Sequence, residues 1–335
     1  MPKRGTKISG SSSSGTKNLS EKDYRDMMRC AYLFHQTELD QNTIATQLDL
    51  SPSKVSRLLR ESRKYLSVNW NLPSIPELEI ELVRKFGLMD ARVVFAGDTD
   101  LETVVTGHKA AQYFREKVKD GNSVATSCGH TLLEMILALP SMENRTLSIY
   151  QVTVEGDPEF IHQSSSTIAG LLRAKCGSQS SITGLQLPPD SVIQSIPGFM
   201  HAFENCTEIK KLREEAITAD FVFFGIGPTE GYRMHRKHSA LERVHKLLGD
   251  SKWVKLVREY NIVGEALNQF YSEDGTDRTS DLPKLSKTFV KILSLKDLKS
   301  MAEQRHKHKV VAVATGVKKA EAIRIALVAG YANIL

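Results

Sequence analysis

The sequence predicts an α/β fold in two parts: an N-terminal helix-turn-helix, with a winged form allowed, and a larger C-terminal α/β domain built on a mainly parallel sheet. Three observations predict it. The stretch QNTIATQLDLSPSKVSRLLRES at 41–62 spells two short amphipathic helices joined by a tight turn. From about Pro76 the apolar pattern changes to β-rich runs alternating with helical segments. Charge divides the chain in the same way. The first 66 residues hold 12 of the 45 basic and 7 of the 39 acidic side chains, a net of +5, and so carry nearly all of the total charge of +6.

Size and composition exclude several classes. With 335 residues, 41% hydrophobic and 25% charged, the chain can bury a sizeable core beside a small extra domain. Its apolar runs, such as ADFVFFGIG at 219–227, are far shorter than the roughly 20 residues that cross a bilayer, and no apolar h-region follows the N-terminal basic residues. No membrane partner is expected. Cys30, Cys128, Cys176 and Cys206 lie far apart, without a CxxC pair, so neither a disulfide framework nor a zinc site is expected, and a cytoplasmic setting fits. A basic segment on a nearly neutral body suits a polyanion.

Residues 1–18 form a Ser/Gly/Lys tail that can bury nothing. A small domain is expected over 19–73. Its first helix starts at an N-cap Ser20 and shows a broad apolar stripe of Tyr24, Met27, Met28, Ala31, Tyr32 and Phe34. Two helices follow, from Gln41 to Leu48 and from Pro52 onward, the second capped by Ser51 with Pro52 at its first position. Ile44, Ala45, Leu48, Leu50, Val55, Leu58 and Leu59 make their common core. In a helix-turn-helix the second helix enters the major groove of double-stranded DNA. Ser53, Lys54, Ser56 and Arg57 are therefore the expected groove-facing residues, with Arg60, Arg63 and Lys64 on phosphates. The segment SVNWNLPSIP reads as a wing or linker closing this domain.

The domain over 74–335 is built from the runs 91–97, 122–127, 147–154, 181–187, 219–227 and 309–316 as strands, with helical segments such as 101–119, 203–217 and 318–330 between them. Ligands of such sheets bind beyond the carboxyl ends of the strands. Three loops there carry suitable groups. TSCGHTLLEMI places Ser127, Gly129, His130 and Thr131 at a strand-to-helix turn, where N–H groups and hydroxyls can hold an anion. FFGIGPTEG, with Gly227, lets backbone approach a ligand closely. VATGVKKAEAIRIAL repeats the strand, Gly turn and helix at Gly316, and adds Lys318 and Lys319 for a phosphate charge. Together they imply a small phosphorylated ligand. Cys128 has no assignable His/Asp partner and reads as a small buried residue. RHKHK at 305–309 reads as a solvated loop, since no acid or Cys stands at metal-ligand spacing. No catalytic residue, metal site or cofactor is expected.

The succession of LDQNTIATQLDLSPSKVSRLLRES, LEIELVRKFGLMDARVV, VATSCGHTLLEMI, ADFVFFGIG, IVGEALNQFYSEDG and VVAVATGVKKAEAIRIALVAGYANIL resembles the SorC (sorbitol-operon regulator) family of bacterial transcription regulators, from about Leu39 to Leu335. The resemblance implies a sugar-binding domain with a fold like that of sugar-phosphate isomerases. It further implies a homodimer or homotetramer, operator DNA and a phosphorylated sugar as partners, and control of a carbohydrate-catabolic operon. It places the family's phosphate loop on Ser127, Gly129 and Thr131, its effector lysine after Gly316 on Lys319, and sugar-hydroxyl acceptors on Glu265 and Asp274. Cys128, His130, Thr315 and Asp49 stand where the family usually has an aromatic, Arg, Gly and Gly, and relatives generally continue for a short segment beyond ANIL. Two other readings remain: a sugar-phosphate isomerase or deaminase with an added N-terminal domain, which the anion loop and Lys319 would also suit, and a DNA-binding oligomer without ligand response.

Overall fold

A computed structural model describes residues 20–36, 39–62, 72–97, 101–154, 158–229, 244, 248–282 and 290–335. The tail 1–18, Arg63, Lys64 and residues 67–71 of the expected wing lie outside the described residues. The chain divides into two compact units, 1–69 and 70–335.

The first unit contains α1 (Glu21–Gln36), α2 (Gln41–Leu48) and α3 (Pro52–Ser62). Ser20 caps α1, its Oγ accepting from the Asp23 N–H at 3.1 Å. Asp40 caps α2, its carboxylate accepting from Asn42 N–H at 2.9 Å and Thr43 N–H at 3.0 Å. The turn to α3 runs through Asp49 at φ 54°, a left-handed conformation that Asp tolerates better than most residues. It closes where Leu50 N–H reaches the Ala45 carbonyl at 2.9 Å. Ser51 then caps α3 through the Lys54 N–H at 3.2 Å.

Met27, Cys30, Ile44, Ala45, Val55, Leu58 and Leu59 are buried together. The expected stripe on α1 is too broad. Met27 and Ala31 are buried, but Tyr24, Met28, Tyr32 and Phe34 are exposed, and Cys30 takes an inner place instead. Two short helices cover only a narrow face of the 16-residue α1, so residues one turn around the cylinder stay outside.

In the second unit, α4 (Pro76–Phe86) and α5 (Glu102–Lys117) precede β1 (Ser123–Thr126) and α6 (His130–Ala138). Then come β2 (Ser148–Gln151), β3 (Thr153–Val154), α7 (Ser165–Lys175), β4 (Ser181–Thr183), α8 (Asp190–Ser195), α9 (Phe199–Glu204), α10 (Thr207–Ala216) and β5 (Phe221–Pro228). The rest is α11 (Asp250–Glu259), β6 (Ile262–Ala266), β7 (Gln269–Ser272), β8 (Val290–Lys291), α12 (Leu295–Glu303), β9 (Lys309–Val313) and α13 (Ala320–Val328). Strands β4, β2, β1, β5 and β9 pair in parallel in that order. Beyond its parallel part, β5 pairs antiparallel with β6, and β6 with β7.

Both faces of the parallel part are apolar, and the period of two sorts its residues between two cores. Phe221, Phe223, Val311 and Val313 pack on one side with Phe114, Leu132, Met135 and Ile168. Their neighbours Val222, Phe224, Val310 and Ala312 pack on the other with Ile209, Leu212, Leu298 and Ile325. Residues 91–97 do not form a strand. Among the described residues their ladder contact is the isolated bridge of Ser74 to Val94, and Phe95 is exposed.

Candidate functional site

On α3, Ser53, Ser56, Arg57 and Arg60 are exposed and recur at the three- and four-residue spacing that puts them on one face of the helix, opposite Val55, Leu58 and Leu59. Lys54 differs from these in being paired within the unit. Its ammonium lies 3.1 Å from the Asp23 carboxylate and 3.2 Å from that of Asp26, both on α1. Those hydrogen bonds raise the lysine's pKa, and the bonds from Ser20 and Lys54 lower that of Asp23. Lys54 therefore braces α3 against α1, and the exposed face of α3 carries Ser53, Ser56, Arg57 and Arg60. Lys54→Met is expected to lower the melting temperature slightly and to change operator affinity by less than about threefold, whereas losing a base contact costs roughly tenfold or more. A gel-shift titration showing a tenfold loss would return Lys54 to the groove.

The second site lies at the carboxyl ends of β1, β5 and β9. Ser127, 2% exposed, follows β1, and its N–H bonds to the Phe223 carbonyl of β5 at 3.2 Å. The next N–H groups are already used: Cys128 donates to Thr153 Oγ1 at 3.1 Å and Gly129 to the Gln163 carbonyl at 3.1 Å. Gly129 begins α6 at φ +128°, which an L side chain rarely adopts. It offers no side-chain cap to the helix. An anion at this turn is left with the Thr131 and Leu132 N–H groups and the Ser127 and Thr131 hydroxyls, at the positive end of the helix dipole. The ring of His130 lies 6.2 Å from that of His162.

A chain of contacts leads from this loop to Glu265. Cys128 Sγ lies 3.8 Å from Asn268 Oδ1. Asn268 N–H donates to Glu265 Oε1 at 2.5 Å. Glu265, 7% exposed on β6, stands directly across from Gly227 of β5. Lys319 completes the group: burial pushes its ammonium below the usual lysine value, while the Glu265 and Glu102 carboxylates pull it partly back. Lys319 is held by a single 3₁₀ turn, its N–H on the Gly316 carbonyl at 3.0 Å. Gly316 has φ +96°, and a Cβ there would stand 3.1 Å from Glu102 Oε2.

The structure thus brings together Ser127, Gly129, His130, Thr131, Gly227, Glu265, Gly316 and Lys319. It does not bring Asp274 to them. That residue follows β7 at the end of the hairpin away from Glu265, four residues past Phe270, the residue opposite Glu265, or about 13 Å of extended chain. Its carboxylate caps its own turn, accepting from the Ser272 hydroxyl at 2.6 Å and the Thr276 N–H at 3.0 Å, which hold its pKa down to about 2. The turn itself explains this acid. Sequence reasoning missed Glu102 and Asn268. Glu102 reads as an ordinary first-turn acid of α5, and Asn268 sits in a hairpin turn whose Leu-Asn pair gives little turn signal. At 305–309, Arg305, His306 and Lys307 are exposed, while His308 is buried with Nδ1 on the Ala219 carbonyl at 2.8 Å.

Residues 74–335 match the Sugar-bind family model, described as "Putative sugar-binding domain". The chain belongs to the Sugar-bind family. It is 24% identical over 326 residues to the deoxyribonucleoside regulator of Bacillus subtilis (strain 168), covering 92% of this chain and 93% of that protein. It is 26% identical over 305 residues to the transcriptional regulator LsrR of Enterobacter sp. (strain 638), covering 89% and 85%. The crystal structure of the full-length sorbitol operon regulator SorC from Klebsiella pneumoniae shares its fold, with a TM-score of 0.61 at 19% identity over 94% of this chain and 96% of that one. This Sugar-bind protein is a sugar-responsive transcriptional regulator, and the isomerase alternative is set aside, because the relatives are regulators and not enzymes. DNA and a sugar effector are its partners. No described helix is long and apolar enough to cross a membrane.

Proposed function

We propose that this Sugar-bind regulator binds an operator of a carbohydrate-catabolic operon as a homodimer or homotetramer in the cytoplasm, as a repressor, and that a phosphorylated sugar changes its grip on the DNA. One observation carries the reading of the effector. The uncapped start of α6 and the partly buried Lys319 both lie at the carboxyl ends of the parallel strands, with Glu265 near enough to Lys319 to act on its charge. The first two suit a phosphate, and a carboxylate suits sugar hydroxyls. On the other unit, the exposed Ser53, Ser56, Arg57 and Arg60 supply short hydroxyls and forked cations on one helix face, the chemistry that meets base edges and phosphates. A two-fold assembly would match a palindromic operator.

A melting-temperature screen of the full chain against aldose and ketose phosphates, each beside its unphosphorylated sugar, tests the effector. Deoxyribose phosphate belongs in it, because the Bacillus relative is named a deoxyribonucleoside regulator. A ligand at 100 times its Kd stabilises by about 2.7 kcal/mol, which moves the melting point of a unit this large by roughly 5–10 °C. The expected result is one phosphosugar with such a shift and none from its free sugar. Equal shifts from both would remove phosphate from the recognition, and no shift from any would remove the effector site.

A further inference from the structure

A second cavity lies in the same unit, on the far side of β9 from β5. It has a volume of about 280 Å³, and neither the 127–131 loop nor Glu265 nor Lys319 lines it. Its walls are mostly apolar, Val93, Val94, Val313 and Ala314 among them. Two cations also line it. Lys109, in the middle of α5, is only 7% exposed, and the one partner of its ammonium among the described residues is the Leu72 carbonyl at 3.2 Å. Arg92 pairs through Nη2 with Asp90 at 3.2 Å and Glu116 at 3.9 Å, but its Nε is buried without a hydrogen-bond partner.

This arrangement is unfavourable as it stands. Among the described residues no carboxylate pairs with the Lys109 ammonium, and a buried ammonium held by a carbonyl alone gains from a counter-charge. A buried donor left unpaired is a further cost. A carboxylate entering the cavity would relieve both, and the surrounding valines would take an apolar body. The size, at the low end of ligand pockets, limits that body to a few carbons. We infer that this cavity is a second ligand site, adjoining the sugar site at Gly316, which takes a small carboxylic acid with a short apolar chain: the carboxylate on Lys109 and Arg92 Nε, the chain against Val94 and Val313. Because Thr315 and Gly316 themselves line it, occupancy here touches the turn that carries Lys319.

The test is the melting temperature of the full chain with hexanoate, hexanol and hexylamine as probes. Hexanoate raises it saturably by several degrees; hexanol at the same concentration gives less than a third of the shift, and hexylamine gives none. In Lys109→Met the hexanoate shift disappears. If that variant does not fold, Ala110→Leu, which narrows the cavity without touching either cation, takes its place and abolishes the shift. No hexanoate shift in the parent overturns the inference. So does a shift that survives in the variant, or one that hexanol reproduces in full.

Discussion

Replacing Lys319 by Met is expected to weaken phosphosugar binding at least tenfold and up to roughly 150-fold, and to leave the DNA affinity of the ligand-free protein unchanged. The magnitude follows from a charge-assisted contact of about 1.5–3 kcal/mol. Methionine keeps the length of the stem, so a loss reports the charge and not a void. The pH dependence supplies a readout that a structural role would not give. Burial lowers the folded-state pKa of Lys319 below 10.5. For the ligand-free domain a lowered amine pKa means stability that is present above 10.5 and lost as pH falls through the folded value, since the fold then carries an ammonium it disfavours. Binding a phosphate has the opposite slope. It needs the ammonium, so affinity falls as pH rises through that lowered value. At the acid end it falls again below about pH 6, where the phosphate gains its proton. Calorimetry from pH 5 to 10 on the parent and on Lys319→Arg, whose cation does not titrate there, separates the two limbs. An upper limb that persists in the arginine variant would assign the titration elsewhere.

How much of this site was legible in the sequence depends on what kind of contact makes each part. The loop at 127–131 and the Gly316–Lys319 turn were legible because each is local. A strand of period two, a glycine whose φ only glycine readily adopts, and a helix start follow one another within a few residues. Glu265 came only through family resemblance, because its place depends on a hairpin that the sequence hides. The turn of that hairpin has Leu267 at φ 55° and Asn268 at φ 60°, both positive, where the expected signal is Asn-Gly. The same gap concealed the antiparallel extension of the sheet. Glu102 was illegible for a different reason. It belongs to the site only because α5 and the loop after β9, more than two hundred residues apart in sequence, meet in the fold. The overread elements have the converse cause. Val93, Val94 and Phe95 have strand propensity but, among the described residues, only an isolated bridge as ladder contact, and the aromatic side chains of α1 have amphipathic spacing but too little partner surface. Lys54 shows the limit most sharply, since position on α3 assigns it to the groove while two carboxylates on α1 decide where it points.

For the DNA-facing unit, Arg57→Ala is expected to weaken operator binding roughly 5- to 150-fold while changing affinity for random duplex by far less. Arg57 is exposed near the middle of the open face of α3, flanked by Ser53, Ser56 and Arg60, and the tight turn at Asp49 together with the Ser51 cap fixes the start of the helix. A fixed helix start is what allows a forked guanidinium to meet two acceptors of one base edge; on a loose helix the same cation would settle on phosphates. Salt distinguishes these outcomes. A phosphate contact contributes about one unit to the slope of log affinity against log salt, and a base contact contributes little. Arg60→Ala, one turn further along, is expected to lower that slope by about one with equal losses on operator and random duplex. The reverse pattern, with Arg57 changing the slope and Arg60 changing selectivity, would shift the reading face of α3 one turn toward its carboxyl end. Linkage then ties the two units together. An effector lowers operator affinity only by its differential affinity for the DNA-bound and released arrangements, about 1–3 kcal/mol in typical systems. A variant that loses base contacts should therefore keep the same effector-induced factor while both affinities fall together. A factor that shrinks with Arg57→Ala would mean that α3 itself moves between the two arrangements.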